Sequence, residues 1–257
     1  MLAVFKREFL SYFRSPVGYV ALALFSFLSG YLFINQFGSG SINISSEIIS
    51  LRSFFIIIVP VITMGLFAED KRRGTEILFY TTPNSLFDVV VGKFLAAFAL
   101  FVVMFANVIV HMIITAACKG VVNVGTWGSV IVFFFLAAAF IAIGVFASAI
   151  TDSQIISAIL CFVIILIIQL ITSIASFVAS GLASVLSSSV FNLSAERISK
   201  ASDTVVSGIS WLDPFSKTQD FRYGIFSVSP LIYCVSVALI FIYLTFRVLE
   251  KKRWSQA

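Results

Sequence analysis

Six long apolar stretches alternate with short polar ones along this chain. That rhythm predicts helices crossing a membrane rather than the core of a soluble domain. The stretches run from about Val17 to Asn35, Ser53 to Ala68, Leu86 to Ala117, Gly128 to Ile150, Gln154 to Ser176 and Val228 to Val248. The second is short and contains Pro60 and Gly65, which predicts a kink. The third is too long for a hydrocarbon core of roughly 30 Å unless it tilts or projects beyond it, with Lys93 snorkelling to the interface. Ser85 followed by Asp88 resembles a capping box at its start. Only Thr151-Asp152-Ser153 separates the fourth stretch from the fifth.

The segments between these stretches carry their own patterns. On a helical wheel for residues 2–14, Leu2, Phe5, Phe9, Tyr12 and Phe13 share one arc and Arg7, Ser11 and Arg14 lie opposite. This predicts an amphipathic helix lying in the membrane interface, ended by Ser15-Pro16. A polar loop is expected from Gly38 through Glu47. Between the second and third stretches stands Glu69-Asp70-Lys71-Arg72-Arg73-Gly74-Thr75-Glu76. A charge at the bilayer centre costs roughly 2.5–3.5 kcal/mol even on lenient scales, so this block lies outside the hydrocarbon. Its surplus of Lys and Arg places it on the cytoplasmic side, as a short helix over 69–82. Residues 177–227 are Ser-rich and interrupted by charge, which predicts a re-entrant or extracellular helical segment. The fold class is thus an all-α membrane protein, a single domain over 1–257 with six transmembrane helices.

Composition agrees. Of 257 residues, 60% are hydrophobic and 11% charged, and the mean hydropathy is +1.08. Soluble domains carry roughly 25% charged residues. The net charge of +5 sits in clusters beside the spans, so it reads as topology and lipid-headgroup contact and not as a nucleic-acid surface. With both termini cytoplasmic, the inner side holds Lys6, Arg7, Arg14, Lys71, Arg72, Arg73, Lys93, Arg247, Lys251, Lys252 and Arg253, eleven of the 17 basic residues. That balance places the chain in a plasma (inner) membrane with both ends inside. No cleavable signal is evident at the N-terminus, and the first span is expected to be retained.

Little in the sequence suggests catalysis. Cys118, Cys161 and Cys234 have neither metal-site nor disulfide spacing. The one histidine, His111, has no sequence neighbour with metal spacing, so a helix–helix hydrogen bond is its expected role. No GxSxG elbow and no phosphate-cradling loop occur, and no span carries a row of acids for ion coupling. If the chain moves a substrate, the energy must come from another chain.

Several motifs, in order, resemble ABC-2 type permeases. They are Phe5-Lys6-Arg7-Glu8-Phe9 with Tyr12-Phe13-Arg14-Ser15-Pro16, then Pro60 through Glu76, then Thr82-Pro83-Asn84-Ser85 and Gly92-Lys93. Leu212-Asp213-Pro214-Phe215-Ser216, Asp220-Phe221, Gly224 and the closing Phe246 to Arg253 resemble the gliding-motility and copper-processing branch.

The resemblance implies a non-catalytic permease subunit of an ATP-driven exporter, paired as a homodimer or with a paralogous permease. ATP and Mg would be bound by a separate ABC ATPase and no cofactor by this chain. Glu69, Asp70, Lys71, Arg72, Arg73, Gly74, Thr75 and Glu76 would form the coupling helix, and Phe5, Arg7, Phe9, Phe13 and Arg14 would belong to the connecting helix. Few polar residues face a dimer seam, which favours an amphiphilic or envelope-related substrate passing Asn35, Asn107, His111 and Gln169. Residues 177–227 would meet a periplasmic or extracellular accessory protein. The competing expectations are a membrane scaffold of an ATPase-powered envelope machine and an ion-coupled secondary transporter.

Overall fold

The computed structural model describes residues 1–38, 44–76, 85–120, 122–186, 203–204, 206–209, 213–218, 221 and 227–255. All regular structure among them is helical. In chain order the helices are α1 (Leu2–Arg14), α2 (Pro16–Gly38), α3 (Ile44–Leu51), α4 (Phe55–Thr63), α5 (Ala68–Arg72), α6 (Leu86–Ala117), α7 (Val124–Ile150), α8 (Gln154–Gln169), α9 (Ile171–Leu186), α10 (Pro214–Lys217) and α11 (Ser229–Ser255). A 3-10 turn, Arg52–Phe54, joins α3 to α4. Five helical units are long and apolar enough to cross a membrane, six if α8 and α9 form one span bent by 55°. The expected all-helical class agrees, and the expected six spans are reached when the bent pair counts as one.

The most buried span is α7, with α3, α4, α6, α8 and α11 packed around it. Phe55 from α4 inserts between α6 and α7, its ring 5.8 Å from Phe101, 4.9 Å from Phe133 and 5.6 Å from Phe140. Such offset and edge-on contacts add to area burial. Gly144 of α7 lets α4 approach closely, since a Cβ there would collide with the side chain of Thr63. By contrast α2 and α11 point large apolar side chains outward, Phe27, Ile34 and Leu239 among them, as helices bathed in hydrocarbon do.

Three boundaries differ from the sequence reading. The second span begins at Ile44 rather than Ser53, because the polar residues taken for loop are buried and bonded. Glu47 meets His111 and Ser29, Ser45 meets Thr126, and Arg52 meets Thr218. The fourth span starts at Val124, where Asn123 and Thr126 cap each other's backbone. The fifth does not stop at Ser176, since after its bend α9 continues to Leu186. Residues 77–82 of the expected cytoplasmic helix, and most of 187–227, lie outside the described residues.

Candidate functional site

The site begins with a helix that ends early. Pro60 sits inside α4 and regular winding stops at Thr63, followed by a turn from Met64 to Phe67 before α5. A helix end leaves its last carbonyls without intrahelical partners, and burying them unmet is costly. Side chains from three other helices meet them here. Tyr12 of α1 donates to the Ile62 carbonyl at 2.7 Å, Ser148 of α7 donates to Met64 at 3.2 Å, and Lys93 of α6 donates to Leu66. The Ser148 hydroxyl also accepts from the amides of Phe67 and Ala68, at 3.0 and 3.1 Å. Burial, reinforced by the charge of Glu8, raises the Tyr12 phenol far above its ordinary value, so it remains a donor.

Lys93 is the electrostatic centre. It is 0% exposed, with its Nζ 2.6 Å from Asp70 and 3.0 Å from Glu8, and 5.1 Å from the centroid of the Phe67 ring. The expected snorkelling does not occur, because two carboxylates and a carbonyl supply internally what the interface would have supplied. One ammonium thereby joins α1, α5 and α6.

A second lysine ties the block to the other side of the bundle. Lys71 donates to the carbonyls of Ala149 and of Thr151 (2.8 Å), at the negative end of the α7 dipole. It also lies 3.4 Å from Oδ1 of Asp152, the same oxygen that Lys252 of α11 meets at 3.4 Å. Slight burial would raise the Asp152 carboxyl, but the charges of Lys252 and Lys71 prevail and hold it below the ordinary carboxylate range. The N-terminal helix, the charged block and the basic end of α11 therefore gather at one end of the bundle.

The block closes on a Schellman turn. Gly74, at φ 69°, bonds back to Lys71 while Thr75 bonds to Asp70. Arg72, Arg73 and Gly74 are left exposed, with Arg73 paired to Glu69 one turn back. Beside them a polar cavity of about 370 Å³ separates α1 from the block, lined by Arg7, Glu8, Arg14, Glu69, Asp70 and Arg73 among others. On the opposite face of α1, Phe5, Phe9 and Phe13 form a ring ladder at 5.8 and 5.2 Å. These rings pack partly against the protein core, and Val4 lies over Gly92 of α6.

The polar residues expected along a substrate path are not gathered in one place. His111 Nδ1 is 2.8 Å from Glu47 and 3.3 Å from Ser29, and its ring stacks on Phe33 at 4.3 Å. Gln169 donates to the Ser53 carbonyl at 2.9 Å, and Asn35 donates to Tyr31 of its own helix. Asn107 is half-buried.

Sequence reasoning missed Glu8, Ser148 and Glu47. Glu8 was hidden in a basic helix and Ser148 in an apolar run. Glu47 carried a signal, since an acid three residues into an amphipathic pattern can begin a span if a buried donor meets it.

No curated protein matches the chain in sequence. The model of a family described as ABC-2 family transporter protein matches residues 2–254, and the chain belongs to that family.

Proposed function

We propose that in this ABC transporter permease subunit the segment from Ala68 to Glu76 is where a separate ATPase engages, and that force applied there reaches the spans through Lys93, Lys71 and Ser148. The observation that carries this reading is that the charged block is clasped and not merely solvated. Its buried side binds α6 and the end of α7, reaching Glu8 of α1 through Lys93, and its exposed side presents Arg72 and Arg73. A solvated turn that served only as a topology signal would need none of those bonds. Charges on the exposed rim select a partner and steer its approach.

On this reading the block and both termini face the cytoplasm of a plasma (inner) membrane. ATP and Mg are bound by the partner, and transport runs outward on an amphiphilic substrate. Asn35 and Asn107 lie on faces this chain leaves open, so a second copy or a paralogous permease packed there would bring them to a shared seam.

The test is co-purification. Extracted gently from membranes, the chain should bring an ATPase in stoichiometric amount. Arg72→Glu with Arg73→Glu should abolish both its retention and the associated ATP hydrolysis while leaving the amount of permease in the membrane unchanged. Full retention of the ATPase by that double variant would overturn the assignment.

A further inference from the structure

Level with the middle of α7 lies a cavity of about 310 Å³ that the transport reading does not use. It is enclosed by α7, the α8–α9 bend, α10 and α11. Phe140 and Ile143 line it from one side, Ile168 and Ile171 from the bend, and Val237 and Phe241 from α11. Its volume is at the low end of the roughly 300–1,000 Å³ typical of small-molecule sites. Its lining is almost wholly carbon, and water does not fill such a space, because it would find no hydrogen-bond partners there. Left empty, the space costs its lining the dispersion contacts on one side.

Its position states what is available to fill it. Ile168 lies roughly 20 Å along α8 from Gln154, at about 1.5 Å per residue, and Leu136 to Ile143 lie midway along α7, so the cavity is at membrane depth. The neighbouring outward side chains Ile167 and Ile174 are exposed apolar groups that face hydrocarbon. At that depth the surrounding medium is an acyl chain. Two cations also stand beside residues of its wall. Lys217 Nζ stands 4.0 Å from the centroid of the Tyr233 ring, which lines the cavity, and Arg52 lies 5.8 Å from the ring of Phe215, next to the lining residue Pro214. Asp213 is the counter-charge on that segment, its carboxylate accepting from the Phe215 amide at 2.8 Å.

We propose that this cavity binds one acyl chain of an anionic phospholipid, with the headgroup held beside Lys217. The site rests on the reading of α7, α8, α9 and α11 as membrane-spanning segments. Its occupant packs against Ile168 and Ile171 on either side of the bend at Leu170.

The full-length permease reconstituted in nanodiscs of phosphatidylcholine and phosphatidylglycerol, with a photoactivatable group on the phosphatidylglycerol chain, tests this by peptide mapping of the label. The expected labels fall on Ile168, Ile171, Tyr233 and Val237 in addition to lipid-facing positions such as Ile159. Ala139→Trp, which fills the cavity from α7, should abolish label on the lining while label at Ile159 persists. Val237→Phe is the second filling variant should the first not fold. Lys217→Ala should remove the preference for phosphatidylglycerol over phosphatidylcholine at the lining positions. Unchanged lining label in a folded filling variant overturns the cavity site, and an unchanged preference in Lys217→Ala overturns the headgroup contact. Absence of label at Ile159 as well would instead overturn the membrane reading itself, so the two failures are distinct.

Discussion

Lys93 and Asp70 are 23 positions apart in sequence and 2.6 Å apart in space, and the lysine is 0% exposed while the aspartate retains some access to water. Removing the ammonium leaves Asp70 and Glu8 facing each other with no cation between them. Taking one partner from a buried ion pair costs about 3–5 kcal/mol. Lys93→Met should therefore lower the thermal midpoint of the detergent-solubilised protein by several degrees. Lys93→Met with Asp70→Asn should recover part of the loss. A double variant no more stable than the single one would show that the pair is not energetically coupled.

Ser148 serves two amides and one carbonyl with one hydroxyl. Ser148→Ala leaves these groups buried without a partner, at about 1–3 kcal/mol for each that finds no substitute. The expected outcome is a destabilised turn between α4 and α5, read as faster hydrogen exchange at Phe67 and Ala68 with the rest of α4 unchanged.

Tyr12 gives a pH dependence with a definite sign. Its folded-state pKa is raised above the unfolded value near 10. The stability it contributes is fully present below that pH and declines as pH rises above it, because the unfolded phenol ionises and the folded one does not. Tyr12→Phe should lose about 0.5–1.5 kcal/mol at neutral pH, the net value of one hydrogen bond. The gap between parent and variant should narrow above about pH 10. Thermal melts of both proteins from pH 7 to 11 check it, and a constant gap would refute it.

How far the sequence could be read depended on whether a residue's partner was local. The long α6, Leu86–Ala117, has the limits its hydropathy predicted, because hydrocarbon at every turn demands apolar side chains regardless of tertiary detail. Glu47 failed that logic. An acid in a polar stretch reads as loop, and only the arrival of His111 from 64 residues away makes its burial tolerable. Lys93 is the same case in reverse, since a lone lysine near a helix start reads as snorkelling until Glu8 and Asp70 are seen around it. The charged block was visible as a cluster, whereas its anchorage was written in isolated residues of other helices.

The Glu47–His111 contact makes its own prediction. Glu47→Leu strands His111 and Ser29 in an apolar setting and should cost about 1–3 kcal/mol for each group that finds no substitute. Glu47→Leu with His111→Leu, which removes both polar ends, should regain most of that. Denaturation in mild detergent measures both.

Gly144→Ala probes the close approach of α4 and α7. The added methyl would meet Thr63 Cβ and Cγ2 at 2.8 Å, and such overpacking costs about 1–3 kcal/mol. Thr63→Ala on the same background should relieve part of it, as a melting comparison of the three variants will report.

Because the charged block hangs from a turn closed by Tyr12, Lys93 and Ser148, it cannot be transplanted as its own nine residues. A chimaera that receives only Ala68–Glu76 from this chain inherits the exposed arginines without the three side chains that hold them in place. Exchange of partner choice between permeases of this kind therefore requires moving a surface together with its foundations, which are scattered along the first 148 residues.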